Sequence, residues 1–275
     1  VTRPDGPMVG RQHDREEVVR LLGSQAVVTL TGPGGVGKTR LALDIAADAA
    51  EAVVVPFAVV DRPERVCEAV ASTLGLRITG EVRATDIATA LTDRELLLVL
   101  DNCEHLAVAC RDLVAAVRRS APGVRVLSTS RETLQVSGEY VVRLQPLPVP
   151  RDVSDLDALR RQAGVRAFVE HARRRIPGYE VPADQAADLV EVLHQLDGLP
   201  LGIELAARQV AVAPLHAVRE RLDRALDLAT GRDGPEGQRQ RTLRATIGSS
   251  YVLLTADEQR LLRAIAPFAG GVDLA

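Results

Sequence analysis

The feature that most restricts how this chain can fold is the segment GPGGVGKT at residues 32–39, which lies between an apolar run and an amphipathic pattern. The apolar run, residues 26–30, is typical of a buried strand, and the spacing of Leu41, Ile45 and Ala49 is typical of a helix. The pattern G-x-x-x-x-G-K-T between a strand and a helix predicts a loop whose backbone N–H groups wrap a phosphate.

Lys38 is the only lysine in the chain. We expect it to bridge the β- and γ-phosphates of a nucleotide, and we expect the Thr39 hydroxyl to ligate magnesium. The nucleotide-binding residues predicted in and beside this loop are Gly32, Gly34, Gly35, Val36, Gly37, Lys38, Thr39 and Arg40.

Two other interpretations of the loop stay open. Gly32, Gly34 and Gly37 also match G-x-G-x-x-G, and Asp61 closes the next predicted strand, about where a dinucleotide-binding fold keeps its ribose-binding acid. A nicotinamide or flavin site is therefore one alternative, and a purely structural glycine turn is another. Neither needs the Lys38-Thr39 pair, so the pattern favours ATP or GTP.

Strand-like runs alternate with helical patterns over the first half of the chain, and five strands are predicted at residues 26–30, 53–60, 95–100, 124–128 and 140–144. Residues 96–100 (LLLVL) are apolar at every position, as expected of a strand that helices cover on both faces. The predicted fold class is therefore α/β, with a parallel sheet flanked by helices in a domain over residues 1–146.

Helical periodicity replaces the strands after the proline-rich segment 145–150 (QPLPVP), which predicts an extended linker. Helices are predicted at residues 156–175, 183–196, 201–213 and 215–228, within an all-helical domain over residues 151–230. The loop 231–237 and further helical patterns follow, so that residues 231–275 form a third region in which the chain looks cut inside a larger protein.

The strand at 95–100 leads into an acid, which predicts that Asp101 holds magnesium, directly or through water, opposite the phosphate loop. A carboxylate that caps the following helix is a compatible alternative. Asn102 stands where many P-loop ATPases carry the carboxylate that orients the attacking water, and an amide cannot accept that proton. Glu104 is the nearest catalytic candidate, and it fits equally well as an acid in the first turn of a helix.

Arg131 follows the strand at 124–128, after a run of hydroxyl side chains. Ligands of open α/β sheets bind at the carboxyl edge of the strands, so we expect Arg131 to reach a γ-phosphate.

The amino-acid composition limits the kinds of partner that we expect this chain to bind. The formal net charge is -3 and the isoelectric point is about 6.0, which gives no overall positive field for nucleic acid. No apolar run approaches the roughly 20 residues of a membrane span, so no membrane contact is expected. Three cysteines in a chain of 275 residues indicate a reducing compartment, and the expected location is the cytoplasm.

Five ordered segments resemble the nucleotide-binding core of the STAND signal-transduction ATPases: VGR at 9–11, the loop at 32–39, LLLVLDNCEH at 96–105, STSRE at 128–132 and GLPL at 198–201. The chain is most similar to the NB-ARC-type module of large actinobacterial transcriptional regulators of the AfsR/SARP and LuxR kinds. The resemblance implies a P-loop domain, a helical domain and the beginning of a winged-helix domain. It also implies that Pro200 contacts the adenine or ribose while Val9 and Arg11 line the base.

This resemblance implies an ATP/ADP switch with slow hydrolysis, in which Lys38 and Arg131 distinguish the two nucleotides by the γ-phosphate. Its implied partners are DNA-binding and repeat sensor domains of the same larger chain, and its ATP form is expected to self-associate. The alternatives are a P-loop small-molecule kinase and a nonhydrolysing nucleotide-binding scaffold.

Overall fold

A computed structural model describes residues 1–4, 6–77, 80–150, 156–229 and Arg260. It divides into two compact units, one of residues 1–33 and 37–145, the other of Gly34–Val36 and the residues from Pro146 onward. Apart from Arg260, the region predicted to begin a winged-helix domain, residues 231–275, lies outside the described residues. Among the helices in the described ranges, none is long and apolar enough to cross a membrane.

The first unit contains a sheet of five parallel strands in the order β2-β3-β4-β1-β5. Its strands are β1 (Val27–Thr31), β2 (Ala52–Pro56), β3 (Leu96–Asp101), β4 (Val124–Thr129) and β5 (Glu139–Arg143). The predicted α/β class and the parallel sheet are confirmed. β1 lies inside the sheet, between β4 and β5, and all five of its residues are buried.

Five helices accompany this sheet: α1 (Gln12–Ser24), α2 (Lys38–Asp48), α3 (Val66–Thr73), α4 (Ala84–Ala90) and α5 (Ala107–Ser120). Leu96, Leu98 and Leu100 of β3 share one apolar core with buried residues of α3, α4 and α5. Leu97 and Val99 are buried as well and point to the opposite face, because side chains alternate along a strand. Helices therefore cover both faces, as the all-apolar strand predicts.

The second strand is shorter than the predicted segment 53–60. It ends at Pro56, and a single 3₁₀ turn, Phe57–Val59, follows. Phe57 is fully buried in the core, and this packing turns the chain away from the sheet. As a result Asp61 does not close a strand: it lies beyond the turn, with about two thirds of its side chain exposed, near Arg62 and Arg65. The strand-end acid of the dinucleotide interpretation is therefore absent at this position.

The second unit is helical over the described part of residues 156–229, as predicted. Its helices are α6 (Leu156–Arg161), α7 (Ala163–Arg173), α8 (Ala186–Gln195), α9 (Pro200–Gln209) and α10 (Leu215–Ala229). The single helix predicted over 156–175 is in fact two, because Gln162 has an extended backbone (ψ 138°). Phe168, Leu189 and Ile203 are among its fully buried residues.

The proline-rich segment packs closely on this helical unit. The Leu147 N–H donates to the carbonyl of Gly198 (2.9 Å), and the Gly164 N–H donates to the carbonyl of Pro148 (3.0 Å). The side chains of Leu147 and Pro150 are buried. The segment lies in no helix or strand, as the prolines predict, and from Pro146 onward it belongs to the helical unit.

Candidate functional site

The glycine-rich loop connects the end of β1 to the first residue of α2. Gly37 precedes the helix with a left-handed backbone (φ 99°), which a residue with a Cβ adopts only with strain. Gly37, the N-cap residue of α2, has no side chain to cap the helix, and the N-terminus of a helix is where an anion binds. A Cβ placed on Gly34 or Gly37 would meet no atom of the described residues within 4 Å, so none of them fills the space beside either glycine.

Lys38 turns back over its own loop. Its Nζ donates to the carbonyl oxygens of Gly32 (2.9 Å) and Pro33 (3.0 Å). Burial lowers the pKa of Lys38, and among the charged neighbours the carboxylate of Glu104 opposes this most, whereas the Arg131 guanidinium adds to the lowering. The only lysine of the chain therefore lies in the electrostatic neighbourhood of the other charged site residues.

Asp101 and Thr129 occupy the ends of neighbouring parallel strands, one residue beyond the pair Leu100 and Ser128. The Thr129 hydroxyl donates to Oδ1 of Asp101 (2.6 Å), and the Thr39 hydroxyl donates to the same oxygen (2.6 Å). Hydroxyl and carboxylate oxygens from the loop helix and the strand end thus meet at one point. These are the oxygen ligands that magnesium prefers, so the two predicted metal ligands, Thr39 and Asp101, are brought together.

The helix-capping alternative for Asp101 does not hold. The 3₁₀ turn Glu104–Leu106 that precedes α5 has no side-chain cap, and Oδ1 of Asp101 accepts the two hydroxyls instead.

Asn102 has a left-handed backbone (φ 66°), and its N–H donates to the Thr129 hydroxyl oxygen (2.9 Å). Asparagine tolerates this conformation better than most residues, because its short polar side chain relieves part of the strain. This backbone conformation favours asparagine at the position where many P-loop ATPases carry a water-orienting carboxylate. Thr129 thus connects Asp101 and Asn102 through its hydroxyl. No role was predicted for it, although it belongs to the run of hydroxyl side chains that precedes Arg131.

Glu104 and Arg131 form an ion pair in which Nε of Arg131 donates to Oε1 of Glu104 (3.1 Å). Half of the Arg131 side chain is exposed (49%), against 20% of Glu104. The second carboxylate oxygen, Oε2, is buried and has no hydrogen-bond partner in the part of the chain that the structure describes. The two residues whose catalytic roles were predicted independently are therefore partners of each other.

The N-terminal residues pack beside the loop helix. The Arg40 guanidinium donates to the carbonyl oxygen of Gly6 (2.8 Å). Arg11 is buried, with NH1 donating to Asp14 (2.9 Å), and Val9 is half-buried. In the second unit Pro200 begins α9, where its fixed φ suits the first helical position. The nucleotide contacts predicted for Val9, Arg11, Arg40 and Pro200 stay predictions.

The chain is similar to known proteins in sequence and to solved structures in fold. No family model matches the chain. An uncharacterized protein of Mycobacterium tuberculosis is 37% identical over 273 residues, which is 97% of this chain and 66% of the relative. A putative HTH-type transcriptional regulator of the same organism is 38% identical over 261 residues, which is 93% of this chain and 28% of the relative.

Two solved archaeal structures are similar in fold. A Walker-type ATPase of Pyrococcus abyssi has a TM-score of 0.60 at 16% identity, covering 88% of this chain and 79% of that one. A STAND protein of Pyrococcus horikoshii with a tetratricopeptide repeat sensor has a TM-score of 0.50 at 16% identity, covering 98% of this chain and 36% of that one. Together with the sheet and loop described above, these likenesses show a P-loop NTPase fold.

Proposed function

We propose that this chain, which has the fold of the P-loop ATPases, binds ADP and ATP with magnesium and works as a slow nucleotide switch in a transcriptional regulator. The observation that carries the proposal is the hydrogen bond between Thr39 and Asp101 at the carboxyl edge of the parallel sheet, where the charges of Asp101 and Arg131 also act on Lys38. Ligands of open α/β sheets bind at this edge.

Different residues are proposed to bind different parts of the magnesium-nucleotide complex. The loop N–H groups and Lys38 bind the phosphates, while Thr39 and Asp101 would hold magnesium. The bound metal would supply positive charge to the phosphate oxygens. Arg131 is the cation positioned beyond β4, and its half-exposed guanidinium is the group proposed to contact the γ-phosphate.

Slow hydrolysis follows from the groups near Asp101. The Asn102 amide cannot accept the proton of an attacking water. Glu104 has one oxygen bound by Arg131 and the other buried away from solvent. We therefore expect turnover well below the roughly 10 per second median of ordinary enzymes. Steady-state phosphate release at or above that median would contradict a switch, and release that depends on an added small-molecule acceptor would instead indicate a kinase.

The proposed place in a regulator rests on the mycobacterial relative with that printed description, of which this chain matches 28%. DNA-binding and sensor domains are proposed partners within such a longer protein, and self-association in the ATP form is a further part of the proposal. Size-exclusion chromatography with ADP and with a nonhydrolysable ATP analogue tests the self-association.

Calorimetric titration with magnesium-ADP, magnesium-ATP and NAD tests the proposed ligand class. The native chain should bind both adenine nucleotides and bind NAD more weakly than either. Lys38→Ala should lose most of the affinity, because it removes the phosphate-binding cation. Arg65→Ala is the matched control, since it removes an exposed cation beside Asp61 and Glu68. Tighter binding of NAD, or no binding of ADP and ATP, would contradict the proposal.

A further inference from the structure

We propose that Glu104 is the residue that sets the preference for ADP over ATP, its carboxylate holding Arg131 in the place of a γ-phosphate. This inference rests on the proposed function, because it assigns a specificity role within the same site. It differs from both roles that the sequence left open for Glu104, the catalytic base and the helix-start acid.

The first support is the contact itself. The guanidinium of Arg131 has a carboxylate partner, with Nε to Oε1 at 3.1 Å. A guanidinium binds carboxylate and phosphate oxygens in the same way, through N–H groups directed at negatively charged oxygen. A carboxylate can therefore satisfy Arg131 when the nucleotide carries no γ-phosphate.

The second support is the burial of Glu104. Only 20% of its side chain is exposed, and Oε2 is buried without a hydrogen-bond partner. A buried carboxylate oxygen that has exchanged water for no partner is costly, so the hydrogen bond from Arg131 to the other oxygen matters more. Moving Arg131 to a γ-phosphate removes this hydrogen bond from Glu104, which penalises ATP and leaves ADP unaffected.

The third support is the position of the negative charge of Glu104 near Lys38. The carboxylate of Glu104 lies near enough to Lys38 for the two opposite charges to attract each other. A carboxylate close enough to stabilise Lys38 also repels an anion bound by Lys38. The γ-phosphate adds negative charge that ADP lacks, so this repulsion acts more strongly against ATP.

The same geometry argues against Glu104 as the general base. A base must present a free carboxylate oxygen to the attacking water. Oε1 accepts from Arg131, and Oε2 has no access to solvent. Glu104 is thus a positioning residue that acts on the nucleotide through Arg131 and through its charge.

The test is Glu104→Gln, which keeps the shape and an oxygen acceptor for Arg131 but removes the charge. Affinities for magnesium-ADP and for a nonhydrolysable magnesium-ATP analogue are measured by calorimetry on the whole chain. We expect the analogue to bind about tenfold more tightly than to the native chain, within the usual range of coupling between sites. Binding of ADP should change by less than about threefold, so that the ratio of the two affinities shifts towards ATP.

Glu132→Gln is the matched control. It removes the same charge one residue from Arg131, from an exposed side chain, and should leave the ratio unchanged. Arg131→Ala should weaken binding of the analogue and spare ADP. In the double variant the gain from Glu104→Gln should shrink, because part of that gain acts through Arg131.

The outcomes separate the possibilities. If the native chain binds neither nucleotide, the proposed function and this inference both fail. If it binds both and Glu104→Gln leaves the ratio within about twofold, only this inference fails. Lost hydrolysis with an unchanged ratio would identify a catalytic base. Should Glu104→Gln fold poorly in a thermal melt, an unchanged ratio in Arg131→Ala would still overturn the proposal.

Discussion

At the scale of single residues, Thr129 has more connections than its place in the sequence indicates. Its hydroxyl donates to Asp101 and accepts from the N–H of Asn102, and its carbonyl accepts from the N–H of Cys103 (2.9 Å). One buried side chain therefore orients the proposed magnesium ligand and holds the left-handed residue that follows β3.

Thr129→Val tests this arrangement, because it preserves shape and removes the hydroxyl. We expect the magnesium-dependent part of the ADP affinity to fall several-fold, since Asp101 loses a partner, and stability to fall by about 1–3 kcal/mol from the unpaired Asn102 N–H. Thr129→Ser should restore the affinity.

Thr29→Val is the control, because it breaks another buried hydroxyl pair, Thr29 with Ser128 at 2.7 Å. Thr29→Val should lower the stability of the fold without changing the magnesium-dependent part of the ADP affinity. Equal effects of the two valine variants on affinity would show that Thr129 has only a packing role.

Lys38 gives a pH-dependent prediction at the same scale. Burial lowers its pKa below the ordinary 10.5, so the unfolded chain binds this proton more tightly than the folded chain does. The charge therefore disfavours folding at neutral pH, and the penalty diminishes as the pH rises through the interval between the folded and unfolded pKa values.

The comparison with Lys38→Met isolates this effect. As the pH rises towards the ordinary pKa of 10.5, the melting temperature of the ligand-free native chain should improve relative to that of Lys38→Met, because other groups titrate alike in both. A difference that stays constant, or that moves in favour of the variant, would contradict the assignment.

At the scale of elements, Gly198 explains how the proline-rich segment joins the helical unit. It has a left-handed backbone (φ 65°), and a Cβ at this position would lie 2.2 Å from the carbonyl oxygen of Leu147. Its own carbonyl accepts the N–H of Leu147. The glycine of the GLPL segment is thus required by a close backbone approach just before α9.

Gly198→Ala should destabilise the helical unit by well over about 1 kcal/mol, because backbone strain and a clash with a fixed carbonyl act together. Gly178→Ala is the matched control: Gly178 has a similar φ (76°), but a Cβ there meets nothing within 4 Å. Its cost should be strain alone, about 1 kcal/mol. Chemical denaturation followed by circular dichroism measures both, and equal costs would exclude the clash as a cause.

At the scale of the whole molecule, nucleotide and magnesium should act on stability by linkage. A ligand that binds only the folded state contributes about 2.7 kcal/mol at one hundred times its dissociation constant. Saturating magnesium-ADP should therefore raise the melting temperature, and chelation of magnesium should remove part of the increase, because Thr39 and Asp101 then hold no metal.

In Lys38→Ala, magnesium-ADP should not raise the melting temperature, and chelation of magnesium should not change it. Differential scanning calorimetry with ADP, with ADP and a chelator, and with no addition measures both. An equal melting temperature in all three solutions would contradict nucleotide binding by the folded chain.

What the sequence determined is local in origin. The loop pattern, the strand before it and the helix after it lie within about twenty consecutive residues, so their chemistry is visible without a partner. The all-apolar segment of β3 likewise indicated a strand covered on both faces, because burial from two sides leaves no polar positions. These features were enough for the α/β class and for Lys38, Thr39 and Asp101 as candidates.

The contacts between distant residues depend on which strands are neighbours in the folded sheet. β3 lies beside β4, and this brings Thr129 to Asp101 across 28 positions of sequence and Arg131 to Glu104 across 27. The end of β2 at Pro56 was likewise decided by the packing of Phe57 in the core. Pairings of this kind leave no local pattern, because each side chain alone is compatible with a solvated position. Only the side-by-side pairing of β3 and β4 brings their carboxyl ends within hydrogen-bond distance and so selects the partner.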